Sequence, residues 1–248
     1  MKNLVRYILL TAQRDFLFLG LALAMICAAS LGIFLGSNAL SEQIQMSMVY
    51  AAGAVRLVMI LGLVIFTAFS IRRFFENREI DLMLVRPISR VKFIFAFWVG
   101  FSLIALAFVL FTSILFYFFT VPNLEGFVIW SLSLLLETIM VLALVMTASL
   151  ILKSAVSAVM MTLGFYVLSR MSGFILMIVT KPGSNGFFDN AFLSFSSLIP
   201  RMDFFGKTEW LVYGVENQSE IGLFAMQAAI YIPLLLALAI IDFKKKEF

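Results

Sequence analysis

The chain has 248 residues, 63% of them apolar and 13% charged, with a formal net charge of +4 and a mean hydropathy of +1.08. A soluble domain carries about 45–50% apolar and about 25% charged residues. A globule of this size cannot bury the excess, so the medium is lipid, and a soluble enzyme, a disordered chain and a disulfide-stapled secreted domain are excluded. The single cysteine, Cys27, and the absence of histidine remove thiol metal sites, internal disulfides and imidazole chemistry.

The elements follow in chain order. Residues 2–15 predict an amphipathic helix: Lys2, Asn3, Arg6, Gln13 and Arg14 share one sector, while Leu4, Val5, Ile8 and Ala12 face the other way. Such a helix suits the membrane interface, basic groups toward anionic headgroups; the alternative is an extension of the first span. Apolar runs at residues 16–36, 49–71, 93–120, 127–152, 155–179 and 221–241 each supply the ~20 residues a spanning helix needs. They are continuous rather than alternating, which excludes barrel strands. The fold class is therefore all-α, a polytopic membrane protein of six transmembrane helices forming one domain. A cleaved signal peptide competes for residues 1–36, with small residues at Ala28-Ala29-Ser30, but the apolar stretch exceeds the usual h-region of ~7–15 residues.

The first span carries small residues four apart: Gly20, Ala24, Ala28, Gly32 and Gly36. That spacing lets a second backbone approach closely, from a helix of this chain or of a second copy. Lysine and arginine set the orientation. With the N-terminus inside, thirteen of the 18 are cytoplasmic: Lys2, Arg6, Arg14, Arg72, Arg73, Arg78, Arg86, Arg90, Lys92, Lys153, Lys244, Lys245 and Lys246. Lys181, Arg201 and Lys207 lie outside. Both termini are then cytoplasmic, and topology rather than nucleic-acid binding accounts for the basic charge.

Residues 72–92 form a patterned loop rather than a bare connector. Arg72 and Glu76 stand at i,i+4, as do Phe74, Arg78 and Leu82. Ile80, Met83 and Leu84 give an apolar stripe beside Glu79, Asp81 and Arg86. Pro87 stops the helix, and Ser89 is placed to cap the next one. Exposed apolar residues in this pattern predict a docking surface for a cytoplasmic partner.

The stretch Phe75-Glu76-Asn77-Arg78-Glu79, followed by Leu82-Met83-Leu84-Val85-Arg86-Pro87-Ile88-Ser89-Arg90, resembles the signature of ABC type-2 permeases, an acidic stretch and then a Pro-x-Ser-Arg turn between spans two and three. The gross plan is shared as well: six spans, an amphipathic N-terminal helix and a long external segment between spans five and six. Asp81-Leu82-Met83 departs from the Gly-Thr-Leu of many members, which leaves the substrate open. The resemblance implies the membrane subunit of an exporter-like ATP-driven transporter in the bacterial inner membrane. Two permease copies, identical or paired with a sister chain, would bind two separate ATPase subunits. It also implies an ATPase-coupling role for Glu76, Arg78, Glu79, Asp81, Arg86, Pro87 and Ser89. ATP and Mg would be held by the partner and no cofactor by this chain, which carries no G-x-x-x-x-G-K-[ST] loop.

Arg56, Glu137 and Arg170 fall inside apolar runs, where a charge costs ~2.5–3.5 kcal/mol on insertion scales. Either Glu137 pairs with one arginine, or both arginines snorkel outward and Glu137 is protonated or bonded to a hydroxyl. The external segment, residues 181–220, alternates polar residues with Phe187-Phe188, Phe192, Phe195, Phe204-Phe205 and Trp210 to Tyr213. This predicts short helices at, or dipping into, the outer interface. Two other classes stay open: a secondary transporter and a non-transporting scaffold that recruits a partner through the same loop.

Overall fold

A computed structural model describes residues 2–14, 16–40, 42–77, 89–119, 123–179, 199–215 and 218–245. Among the described residues the regular structure is entirely helical. The elements are α1 (Lys2–Arg14), α2 (Phe16–Ser37), α3 (Gln43–Glu76), α4 (Arg90–Phe119), α5 (Leu124–Ile151), α6 (Ala155–Val179), a 3₁₀ turn (Met202–Phe205), α7 (Trp210–Tyr213) and α8 (Gln218–Lys245). Six of them, α2 to α6 and α8, are long and apolar enough to cross a membrane.

Local chemistry sets the ends. At the start of α5 the Asn123 side chain accepts from the N–H groups of Glu125 and Gly126, and Glu125 places a negative charge in the first turn. Ser89 Oγ accepts from Lys92 N–H at 3.4 Å ahead of α4, the capping role its position predicted. At ~1.5 Å per residue the 34 residues of α3 span about 50 Å, well beyond a ~30 Å hydrocarbon core. The helix overruns the apolar run 49–71 at both ends. Its final turn carries the predicted Arg72–Glu76 ion pair, at 2.9 Å.

α5 is the central helix. Its residues 140–150 are buried on every side, a pattern that fits a helix ringed by neighbours rather than one facing lipid. α3, α4, α6 and α8 pack around it, α2 lies outside α3, and α1 lies against α4. The buried face of α1 is the predicted one, Leu4, Ile8 and Ala12. It rests on protein: Ile8 lies against Gly100, and Tyr7 meets Phe74 edge-on with ring centroids 5.8 Å apart. Phe93 stacks on Phe243 at 5.5 Å, and Arg90 donates to the carbonyls of Phe243 (3.2 Å) and Lys244 (2.9 Å). These contacts gather α1, the end of α3, the start of α4 and the end of α8 at one basic end of the bundle. At the opposite end sit the starts of α3 and α5, the 3₁₀ turn and α7.

The small-residue stripe of α2 divides. Ala28, Gly32 and Gly36 are buried, and a Cβ on either glycine would collide with the backbone of Ala51 or Ser47 on α3. The helix partner is therefore within this chain. Gly20 and Ala24 are exposed and border an apolar cleft of about 380 Å³ between α2, α3 and α4. Many large apolar side chains face outward, Phe16, Phe34, Phe118 and Met177 among them, as lipid contact requires.

Candidate functional site

Each of the three charges inside the apolar runs sits about 14–20 Å along its helix from the opposite, non-basic end. Arg56 is thirteen residues into α3, Glu137 thirteen residues into α5, and Arg170 nine residues from the end of α6. Packing of these three helices brings the side chains together. Glu137 Oε2 lies 2.9 Å from Arg56 Nη1, and Oε1 lies 2.8 Å from Arg170 Nη1. Arg56 and Glu137 are fully buried, while the Arg170 side chain keeps 27% exposure. The expectation of one paired arginine is thus corrected: a carboxylate has two oxygens, and here each takes a guanidinium.

Further groups complete the cluster. Tyr166, one helical turn before Arg170, donates its hydroxyl to Glu137 Oε1 at 2.9 Å. Ser133, one turn before Glu137, accepts from Arg56 Nη2 at 3.2 Å and donates to the Trp130 carbonyl at 2.8 Å. The Arg56 guanidinium also lies over the Trp130 ring, 5.5 Å from its centroid, where the π face attracts a cation. Two guanidinium groups and one carboxylate leave an excess positive charge. Backbone carbonyls of residues 202–206 face it: Arg56 donates to Phe205, and Arg170 donates to Met202 and Gly206 at 3.3 Å each. Arg56 Nε finds no acceptor among the described residues.

Residues 202–213 are therefore seated in the bundle. Phe205 and Trp210 are buried against Phe224 of α8, with centroids 5.6 and 5.9 Å away. Gly126 of α5 lies directly beneath the Trp210 carbonyl, leaving no room for a side chain. Asp203 pairs with Arg201 at 2.7 Å and accepts from the Ser172 hydroxyl at 3.3 Å, pinning the turn to α6. Tyr213 donates to Glu42, joining α7 to the start of α3. That bond holds the Tyr213 hydroxyl protonated above its ordinary pKa of 10.0. The arrangement is a polar knot that ties three of the long apolar helices to the turn at residues 202–206.

Of the predicted coupling residues, Glu76 is exposed and bonded to Arg72, and Ser89 caps α4. Arg78, Glu79, Asp81, Arg86 and Pro87 lie outside the described residues, as do Phe187, Phe188, Phe192 and Phe195 of the stretch between α6 and α8. No family model matches the chain, and neither does any curated protein.

Proposed function

We propose that this multi-pass membrane protein is the permease subunit of an ATP-driven transporter of the ABC type-2 kind, an exporter of the bacterial inner membrane. The observation that carries the reading is the knot of Arg56, Glu137 and Arg170 beneath the 202–213 plug. Charges buried at that depth are expensive even when paired, and where they occur they mark substrate or ion pathways. A pathway closed by interlocked charges needs work to open, and this chain has no phosphate-binding loop with which to draw that work from ATP. The patterned elbow of residues 72–92 is the place to receive it from a separate ATPase. The start of α4, capped by Ser89 and tied through Arg90 to the end of α8, is the lever behind that elbow. Two permease copies with two ATPase subunits complete the assembly, and the nucleotide and its Mg stay with the ATPase.

A secondary transporter is the second reading, and Glu137 favours it, since a mid-membrane carboxylate is the usual proton carrier of such proteins. One experiment separates the two. The full chain is purified in mild detergent with the P-loop ATPases of its host. ATP hydrolysis is followed with and without the Arg86→Glu exchange in the elbow. A stoichiometric ATPase whose hydrolysis falls on that exchange supports the permease. A chain that purifies alone, and transports on a proton gradient in vesicles without ATP, overturns it.

A further inference from the structure

We propose that the plug is a lid hung on α8: residues 202–213 and the half of α8 before Pro233 swing together, about that proline, away from α3 and α6. Pro233 stands inside α8, fifteen residues after Gln218 and twelve before Lys245. It has no N–H to give the carbonyl four residues back, that of Ala229, and its ring crowds that carbonyl. Such a point is where a helix bends. Pro233 and Leu234 are exposed, so no neighbouring helix splints the joint.

The two halves of α8 are held differently. After Pro233 the helix is bolted to the bundle. Leu236, Ala239 and Phe243 are buried. The Thr147 hydroxyl of α5, shared with the Ala143 carbonyl, reaches the Leu235 carbonyl at 3.1 Å. Phe243 stacks on Phe93, and its carbonyl accepts from Arg90. Before Pro233 only Phe224 and Ala228 are buried among the described residues. Leu223, Met226 and Ile230 are exposed, and lipid on that side yields to a tilt.

Chemistry decides which neighbour the plug keeps. Its bonds to α3 and α6 are polar: the Met202, Phe205 and Gly206 carbonyls on the two guanidinium groups, Asp203 on Ser172, and Tyr213 on Glu42. The plug lies at an end of the bundle, where water enters as it lifts and replaces each such bond at little net cost. Against α8 the plug sets apolar rings, Phe205 and Trp210 on the fully buried Phe224, and water offers those no substitute. Gln227 of the same half accepts from the Arg201 N–H at 2.9 Å. The plug therefore parts from α3 and α6 and stays on α8. The inference concerns a motion of this chain and does not rest on the transport reading, since it needs neither an ATPase nor a cargo.

The test uses the full chain in lipid nanodiscs, with Cys27→Ser throughout and spin labels on introduced cysteines, distances being read by double electron–electron resonance. Three pairs at exposed positions report the three relations. Val128→Cys with Met226→Cys sets α5 against the plug half of α8. Glu209→Cys with Met226→Cys sets the plug against that same half. Phe95→Cys with Ile241→Cys sets α4 against the other half. Arg170→Gln with Tyr213→Phe loosens the polar bonds; the first pair then gains a longer-distance population, while the second and third keep their distances. Adding Pro233→Ala restores the missing N–H, so that tilting must break one more backbone hydrogen bond, and the longer population falls about fivefold. Should the loosened variant fail to fold, Tyr213→Phe alone gives the same pattern at smaller amplitude. A first pair that never lengthens overturns the proposal. So does a second pair that lengthens, since the plug then leaves α8 as well. A longer population that Pro233→Ala leaves unchanged or raises puts the bend elsewhere and overturns the hinge.

Discussion

Replacing Glu137 by glutamine preserves the volume of the side chain and removes the one negative charge of the knot. Arg56 is fully buried. In the variant it keeps the Phe205 carbonyl, Ser133 and the Trp130 face but loses its counter-charge. Breaking a buried pair by removing one partner costs about 3–5 kcal/mol, because the other charge stays buried and uncompensated. Arg170→Gln is milder. Its side chain is 27% exposed, and the Arg56–Glu137 pair survives, so the loss is about 1–2 kcal/mol of charged hydrogen bonding. At about 2–4 °C per kcal/mol for a chain of this size, Glu137→Gln lowers the unfolding midpoint by about 6–20 °C and Arg170→Gln by about 2–8 °C. The assay is thermal unfolding in detergent followed by tryptophan emission, for which Trp130 is a reporter at the site itself. Adding Arg56→Met to Glu137→Gln recovers part of the loss, because no lone buried cation remains in that pair, with a coupling of about 2 kcal/mol. If Glu137→Gln costs no more than Arg170→Gln, or if the double variant is simply additive, the ion pairs do not hold the bundle and the lock is not there.

Three further outcomes follow from contacts elsewhere. Gly32→Val pushes α2 off the backbone of Ala51 and costs about 1–3 kcal/mol or more, whereas Gly20→Ala, with nothing within 4 Å, is neutral or slightly stabilising; unfolding midpoints of the two variants, compared directly, check this. Ser89→Ala removes the cap of α4 for a loss of about 1 kcal/mol, while Ser89→Asp retains stability. Tyr213→Phe lowers the midpoint at neutral pH. A hydroxyl whose pKa is raised in the folded state contributes stability below its ordinary pKa and loses it as pH rises through the folded value. The gap between variant and wild type is therefore constant to about pH 10 and closes above it; midpoints measured on both sides of that pH test the sign.

Much of this architecture could be read from hydropathy, because in lipid a span is defined by a run of apolar side chains with no fine periodicity to resolve. Residues 155–179 coincide with α6 in full. The amphipathic face of α1 was legible for the same reason in reverse, since Leu4, Ile8 and Ala12 repeat every four residues. The meeting of Arg56, Glu137 and Arg170 was legible as a need, since isolated charges there are costly, but not as a geometry. Tyr166 and Ser133 stand four residues before Arg170 and Glu137, a spacing that puts each pair on one helix face and could have flagged them. The carbonyls of Met202, Phe205 and Gly206 could not be read at all: every residue has one, and only the path of the chain decides which point at a cation. The stripe on α2 showed that a backbone would come close without showing which, and its two halves met different fates: Gly32 and Gly36 face the backbone of α3, while Gly20 and Ala24 border a cleft.

Whether the plug and the knot open together is a separate question from how strong the knot is, and Gly206 isolates it. The residue lies in an ordinary backbone conformation, φ −89°, so only space keeps a side chain out. A Cβ there would land on the Arg170 guanidinium. Gly206→Ala leaves every charge in place and displaces one arginine from the turn, perturbing geometry without changing electrostatic count. If Arg170 is what fastens the 3₁₀ turn to α6, the cost of Gly206→Ala repeats the cost of Arg170→Gln, and the double variant loses little beyond either single one. Substitutions that remove the same contacts twice are non-additive, while distant ones add within about 0.3–0.5 kcal/mol. Gly32→Ala, far along the α2–α3 contact, supplies the additive control. Full additivity of Gly206→Ala with Arg170→Gln would mean that the turn is held by Phe205, Trp210 and Asp203 alone, and the plug could then leave while the knot stayed closed.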